Sequence, residues 1–540
     1  MPPTINMSSQ TDTIDKAKSD LATGNTSSEV EDTKVASAND NILLAQGHAP
    51  VLQRTFDLFG SLGLGFSITN SWLSYASCFG QSMLYGGAQA TIFSLIVACF
   101  VQWFITAGMA EQASAFPSSG GQYHFTYIVA KEKHRNFAAF VVGVLSIIGW
   151  LFITCSGISN NVQSIIGIIV FVNPDFVPQQ WHSYLIYVGL IFLTLIPIFT
   201  IPQRHLSKWT QMCLYLSIAG FIITTIVLAT MTTGFNHPSF LLEFNGVSGW
   251  PTGVAWILSI SNAMYAFAST DAVIHVAEEM QHPGKAIPQV MNLTMLIGII
   301  TALPFMIVMM LVVKDIDAVR NSPLPSLELF YQATSSKPAT LGLQSLLTIL
   351  YYSRLTQTAA ALPSQWITCG RLTWAFSRDH GLPWSDYWNH ISPYYEFPVR
   401  TTLLSVGFCL IYGLLYVAST QAFNSIITTA VLGINISYAV PAALVLLGGR
   451  ENRLPERHFK LGKLGYFCNA WAPLWIAVIA VFISFPNKLP VNAASMNYVS
   501  VVLGAIVIIL GLGWWAIRKQ FHGPAIDWEM LNLNQRDEDE

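Results

Sequence analysis

Charge is what this sequence has least of. Lys, Arg, Asp and Glu supply 10% of its 540 residues, against about 25% in ordinary soluble domains. A water-facing globule is therefore excluded. There is also no bias of sign: 26 basic and 29 acidic residues leave a net charge of −3, and no basic patch suggests a nucleic-acid partner. The seven cysteines (78, 99, 155, 213, 369, 409 and 468) are scattered, mostly in apolar runs, and form no CxxC pair. They read as buried thiols rather than disulfides or metal ligands. No His/Cys metal spacing and no phosphate loop occurs, so neither a metal nor a cofactor is expected. A membrane enzyme has little to build on; the one H-x4-D match, His522 to Asp527, lies in the C-terminal segment.

Apolar sequence is what remains. Hydrophobic residues make up 52% of the chain and mean hydropathy is +0.48. Runs of about 20 such residues are long enough to cross a bilayer, which predicts an all-α polytopic membrane protein embedded in lipid. Twelve spans are expected, near 56–77, 83–108, 137–160, 184–202, 209–231, 253–276, 288–313, 341–370, 401–418, 424–447, 468–485 and 498–517. Residues 1–50 are polar and lack an apolar core, as in a disordered tail rather than a signal peptide. The acidic end QRDEDE reads the same way. With both termini cytoplasmic, the tails and inner loops hold 21 of the 26 Lys and Arg. The outer loops hold Lys314, Arg320, Lys337 and Lys488, and Arg354 falls within span 8. That asymmetry fits the positive-inside rule.

Two of the spans carry polar residues at mid-depth. Span 1 contains SITNSW (67–72), and span 6 contains Ala268-Ser269-Thr270-Asp271. Irregular backbone survives at membrane depth only where it lines a cavity or is packed in protein. Transporters with inverted repeats break the first helix of each half and bind substrate at the breaks. Spans 1–5 and 6–10 read as such repeats, over 51–235 and 250–450, followed by helices 11–12 (465–519) and a tail (520–540). Thr69, Asn70 and Ser71 are expected in non-helical backbone, facing 268–271 across a midplane cavity. Gly60, Gly63 and Gly65 fit close helix packing better than a site. A carboxylate at mid-membrane costs at least about 2.5–3.5 kcal/mol, so Asp271 should face a wet cavity, meet a cation, carry a proton, or else cap the second half-helix.

Several stretches resemble one family: LGLGFSITNSW (62–72), GMAEQASAFPSSGGQY (108–123), DAVIHVAEEMQHPGKAIPQ (271–289) and RLTWAFSRDHGLP (371–383). They resemble fungal permeases of the amino acid/polyamine/organocation superfamily, in its amino acid–choline branch. STQAFNSIITT (419–429) and LPVNAASMNYVSVV (489–502) look most like choline permeases. The resemblance spans Thr55 to Lys519. It implies twelve helices with a 5+5 inverted repeat, and a secondary transporter commonly driven by protons at the plasma membrane. One stretch departs from the pattern: YYSRLTQTAAALPSQ (351–365) interrupts span 8.

The motifs also make sense residue by residue. FPSSGG (116–121) suits a sharp re-entrant turn. Glu111 can pair with a basic inner-loop residue or sit in a surface salt bridge. Glu278 and Glu279 precede HPGKAIP, whose prolines break the helix before span 7. Arg371, Trp374 and Arg378 share one helix face, read as an inner gate or a docking face. The expected substrate residues are Ser67, Thr69, Asn70, Ser71, Trp72, Tyr265, Phe267, Ser269, Thr270 and Asp271. Asp271, Glu111, Arg371 and Arg378 are the candidates for proton coupling or gating. An amino-acid carboxylate would seat on the free N–H groups of the span 1 break. Choline would need aromatic faces and a counter-charge, for which Trp72, Tyr75, Tyr265, Phe267 and Asp271 are available. A γ-aminobutyrate or polyamine permease and a nutrient sensor on the same fold are the alternatives.

Overall fold

The computed structural model describes residues 43–48, 51–352, 361–418, 420–492, 496–529 and 531. Most of the expected tail over 1–50, the end after Leu531 and the core of the span 8 interruption (353–360) lie outside the described residues. The described residues form helices and no strand, apart from a single bridge between Phe56 and Met280. Helix is what this composition demands, since it pairs every backbone group within one segment where water is absent.

α1 (Leu58–Thr69) starts at Asp57, whose carboxylate accepts from the Gly60 N–H at 2.8 Å. It stops at Asn70, which is left-handed (φ 31°, ψ 60°), and α2 (Ser71–Ala115) begins at once. The break is thus one residue wide, narrower than expected: Thr69 closes one helix and Ser71 opens the next. The boundary expected between 77 and 83 also moves. α2 stays helical through Tyr85 and turns at Gly86 and Gly87 (φ 67°). The serines before it are compatible with helix because they bond to backbone carbonyls: Ser74 Oγ donates back across the break to that of Thr69, and Ser77 Oγ, within α2, to that of Ser74.

The turn Phe116–Gly121 leads into α3 (Gln122–Val129), a short helix buried along its whole length. α4 (Glu132–Val172), α5 (Gln180–Thr200) and α6 (Gln203–Met231) follow. The second half repeats the pattern. α7 (Thr252–Ala263) passes into a 3₁₀ turn over Met264–Phe267, then Ala268 is extended and Ser269 is left-handed (φ 67°, ψ 23°). A 3₁₀ stretch, Thr270–Glu279, completes the span. Runs of 3₁₀ beyond about 3–4 residues are uncommon and mark hinges. Pro283 opens α8 (Pro283–Val312) and Pro288 lies inside it, so the prolines start span 7 rather than only ending span 6. Then come α9 (Pro325–Thr334), α10 (Lys337–Tyr352), α11 (Ala361–Arg378), α12 (Val399–Gly413), α13 (Thr420–Leu447), α14 (Lys463–Phe482) and α15 (Val499–Ile517).

Nine stretches among the described residues are long and apolar enough to cross a membrane. One of them, Leu58–Ala115, makes two crossings because of its turn at Gly86. The other expected spans correspond to α13, apolar over Val431–Leu447, and to α10 with α11 on either side of 353–360.

The helices sort into two sets. α1, α2, α7, the 3₁₀ stretch and α8 pack together, while α4 packs on α13 and α11. α1 also lies tight against α6: a Cβ on Gly63 would come within 2.2 Å of the Thr210 carbonyl oxygen. The outer surface is apolar, with Phe100, Ile223, Ile226, Ile300, Val507 and Leu512 exposed. Such a surface suits lipid and not water.

Candidate functional site

The two breaks are built alike. Asn70 and Ser269 both hold the left-handed conformation without being glycine, a strain of order 1–3 kcal/mol each that surrounding structure must enforce. Among the described residues, neither Asn70 nor Ser269 caps with its own side chain the half-helix that follows it. Each half-helix therefore presents the positive end of its dipole to the break. Both breaks also touch one spot on α8. Gly298 stands where a Cβ would lie 2.4 Å from Ser71 Oγ and 3.3 Å from the Phe267 ring.

The expected site residues divide by partner. Ser67 Oγ meets Ser364 Oγ of α11 at 3.0 Å, and the Tyr265 hydroxyl reaches Ser156 Oγ at 2.9 Å and Asn160 Nδ2 at 3.3 Å on α4. These contacts join the two helix sets at mid-depth. Thr270 Oγ1 meets Thr106 Oγ1 at 3.0 Å on α2. Asn70 Oδ1 accepts from Ser217 Oγ at 2.9 Å, and the same hydroxyl accepts from Trp72 Nε1 at 3.1 Å. The Trp72 ring packs edge-on against Phe305, and the Tyr75 hydroxyl donates to the Thr91 carbonyl. Both rings are fully buried in this packing, so they offer no face to a cation in this conformation. The hydroxyls of Thr69 and Ser71 are buried with no hydrogen-bond partner among the described residues.

Just beside the breaks, Ala76, Ser77, Asn160, Ser164, Leu347 and Thr348 line a small gap. It leaves about 20 Å³ for solvent, the room of a single water. The gap between the helix sets is closed at this point.

Of the settings expected for Asp271, the wet cavity is not the one found. The carboxylate does not face open water but is enclosed by four groups. Gln122 Nε2 donates to Oδ2 at 2.7 Å, Trp150 Nε1 to Oδ2 at 3.1 Å, and the Tyr438 hydroxyl to Oδ1 at 2.6 Å. The fourth is His275, whose Nε2 lies 3.2 Å from Oδ2. The other ring nitrogen, Nδ1, sits 3.0 Å from the Ser119 carbonyl oxygen. A carbonyl only accepts, so Nδ1 donates, and the Asp271–His275 contact is a hydrogen bond only if one more proton lies between the two groups.

On the same side of the molecule, ion pairs clamp the helix sets together. Arg378 grips Glu278 with two bonds of 3.0 Å, and its guanidinium lies 4.5 Å from the Trp374 ring centroid. Arg371 donates to both oxygens of Glu279 and to Gln203 Oε1. Both arginines project from α11 onto the 3₁₀ stretch. Glu111, at the end of α2, holds Arg450 and Arg457 and accepts from the Leu461 N–H at 3.0 Å. It is 0% exposed, which removes the surface salt-bridge reading.

Sequence reasoning missed Trp150 and Tyr438, which sit among apolar residues, and also Ser156, in the polar run 154–161, and Ser364, at the end of the 351–365 interruption. His275 was within reach of it: it follows Asp271 at i+4.

The chain matches the amino acid permease family over residues 57–510. It belongs to that family. It is 30% identical to the choline transporter of Saccharomyces cerevisiae over 481 residues, 87% of this chain and 83% of the relative. It is 29% identical to a transmembrane transporter of Metarhizium robertsii over 479 residues, 87% and 93% of the two chains. Amino-acid permease 2 of Neurospora crassa is 25% identical over 514 residues, 93% and 92%. The permease is thus an integral membrane transporter of small molecules.

Proposed function

We propose that this permease imports a small organic amine cation, choline first, by proton symport with alternating access between its two helix sets. The observation that carries the reading is the Tyr265 ring, set beside both breaks on the segment that leads to Asp271. Tyr265 is the one candidate aromatic that is not fully buried. Its hydroxyl is tethered to α4, which leaves the ring as the face for a quaternary ammonium. The choline transporter among the relatives points to the same cargo.

The half-helix N-termini at the two breaks support a second reading, an amino acid whose carboxylate binds there. Each helix set would draw elements from both repeats, 51–235 and 250–450, with Ser67, Asn70, Ser269 and Thr270 around the substrate. We assign proton carriage to the Asp271–His275 pair. Adding or removing its proton changes which of the enclosing donors can be satisfied, so protonation and the closure of the 3₁₀ stretch of span 6 against α3, α4 and α13 are coupled. Arg371, Arg378 and Glu111 would hold the closed gate, with both termini and this gate cytoplasmic and the plasma membrane as the site of import.

The test is uptake of a radiolabelled panel in a permease-deficient yeast. Saturable choline uptake, competed by other amine cations more than by neutral amino acids, supports the first reading. Preference for neutral amino acids selects the second.

A further inference from the structure

Three residues far apart in sequence meet just beyond the gate: His48, His124 and Asp379. No spacing rule could have found them. His48 closes a short segment over 43–48, His124 lies on α3, and Asp379 follows α11 directly. Side-chain exposures are 2%, 0% and 4%. The two histidines stack, with ring centroids 4.9 Å apart and planes inclined by 14°. Their Nε2 atoms face each other at 3.3 Å. His124 Nε2 lies 2.8 Å from Asp379 Oδ2, and His48 Nε2 lies 3.8 Å from Oδ1.

We propose that these three side chains form a binding site for a divalent transition metal of the zinc class, which staples the 43–48 segment to the closed gate. Zinc bonds of about 2.0–2.1 Å in a tetrahedron place neighbouring ligand atoms about 3.3–3.4 Å apart. The two Nε2 atoms, 3.3 Å apart, meet that value, and the distances to the Asp379 carboxylate, one to each oxygen, lie on either side of it. Two imidazoles and one carboxylate, with a fourth position open, are also a donor set that zinc accepts.

The surroundings are those of a ligating histidine. Ser118 Oγ lies 2.6 Å from His124 Nδ1. With Nδ1–H donated to that hydroxyl, the Nε2 lone pair is free for metal, which is how outer partners fix a ligand's tautomer. The Tyr123 hydroxyl donates to Asp379 Oδ2 at 2.9 Å and fixes the carboxylate in turn. Burial, and then the nearby Arg378 charge, push the His48 imidazole well below its ordinary range. Arg378 is the cation nearest a bound metal, and Glu278 already neutralises it.

The segment is seated for this. Gly47 takes φ 78°, and a Cβ there would come within 2.3 Å of the Ala525 carbonyl oxygen. The Asp527 N–H donates to the Ala45 carbonyl at 2.8 Å, and Gln46 Nε2 to that of Pro117. A metal would therefore tie the N-terminal segment, the α3 turn and the end of α11 into one piece. Opening the gate separates these parts, so the metal should slow transport. That last step rests on the transport reading above; the binding itself does not.

The experiment uses the full chain, purified and free of metal, titrated with Zn²⁺ by calorimetry and by thermal unfolding. One equivalent should bind and raise the unfolding temperature. His48→Ala should weaken binding by at least about 100-fold, the upper range for losing even an outer partner, while leaving the metal-free unfolding temperature near wild type. His124→Ala should do the same where it folds; where it does not, His48→Ala decides. Zn²⁺ should also slow uptake in proteoliposomes, with relief by a chelator and none of the effect in His48→Ala. Absence of Zn²⁺ binding, or equal binding by His48→Ala, overturns the site. Binding without an effect on uptake overturns only the gating role.

Discussion

Asp271 and His275 are four residues apart and meet through Oδ2 and Nε2 at 3.2 Å, while His275 Nδ1 is committed to the Ser119 carbonyl. Asp271→Asn substitutes an amide for one carboxylate oxygen, so either Tyr438 or the cluster of Gln122, Trp150 and His275 meets a donor. The side-chain volume is kept. Uptake should fall at least tenfold, equivalent to about 1.4 kcal/mol, with surface expression retained. His275→Gln can still bridge Asp271 and Ser119 but cannot hold the extra proton, and uptake should lose its dependence on external pH. An Asp271→Asn permease with normal uptake at every pH would make the residue a structural cap only.

Arg378→Ala leaves Glu278 buried beside an empty space. Removing one partner of a buried pair costs about 3–5 kcal/mol, here in the closed conformation. With every other cysteine removed, Cys369 offers a probe, since it is 1% exposed on the same helix. Its maleimide labelling should accelerate at least tenfold in Arg378→Ala, and the paired change Arg378→Ala with Glu278→Ala should recover part of that loss. Unchanged labelling in the single variant would mean the pair does not hold the gate.

Asn70 separates a broken helix from a continuous one by a simple ranking. In a regular helix Ala is better than Gly by about 1 kcal/mol. At a left-handed position the order reverses, because only Gly escapes the Cβ clash. Thermal stability and uptake should therefore rank Asn70→Gly above Asn70→Ala, with Asn70→Val lowest. Ala above Gly would contradict the break.

Much of this was legible in the sequence because lipid is a demanding solvent. Scarce charge and long apolar runs leave helix as the form for each span, and polar groups at depth mark where helix gives way. The positions of SITNSW and of 268–271 located both breaks. Their width was not legible: Ser67, Thr69, Ser71 and Ser74 all lie within helices, so polarity alone overstated the irregular backbone. Trp72 and Tyr75 looked like cation faces, yet Ser217, Phe305 and Thr91 claim them. Asp271 stood out by charge, while its enclosing donors come from α3, α4 and α13, brought together only by the fold. The His48, His124 and Asp379 cluster was invisible for the same reason.

The most direct measurement uses the purified permease in proteoliposomes, loaded at one pH and diluted into another, with labelled choline outside. Acid outside should drive choline accumulation with no sodium present, and an ionophore that collapses the pH gradient should abolish it. Replacing sodium by another cation should change nothing. Uptake that follows a sodium gradient and ignores the pH gradient would contradict the account.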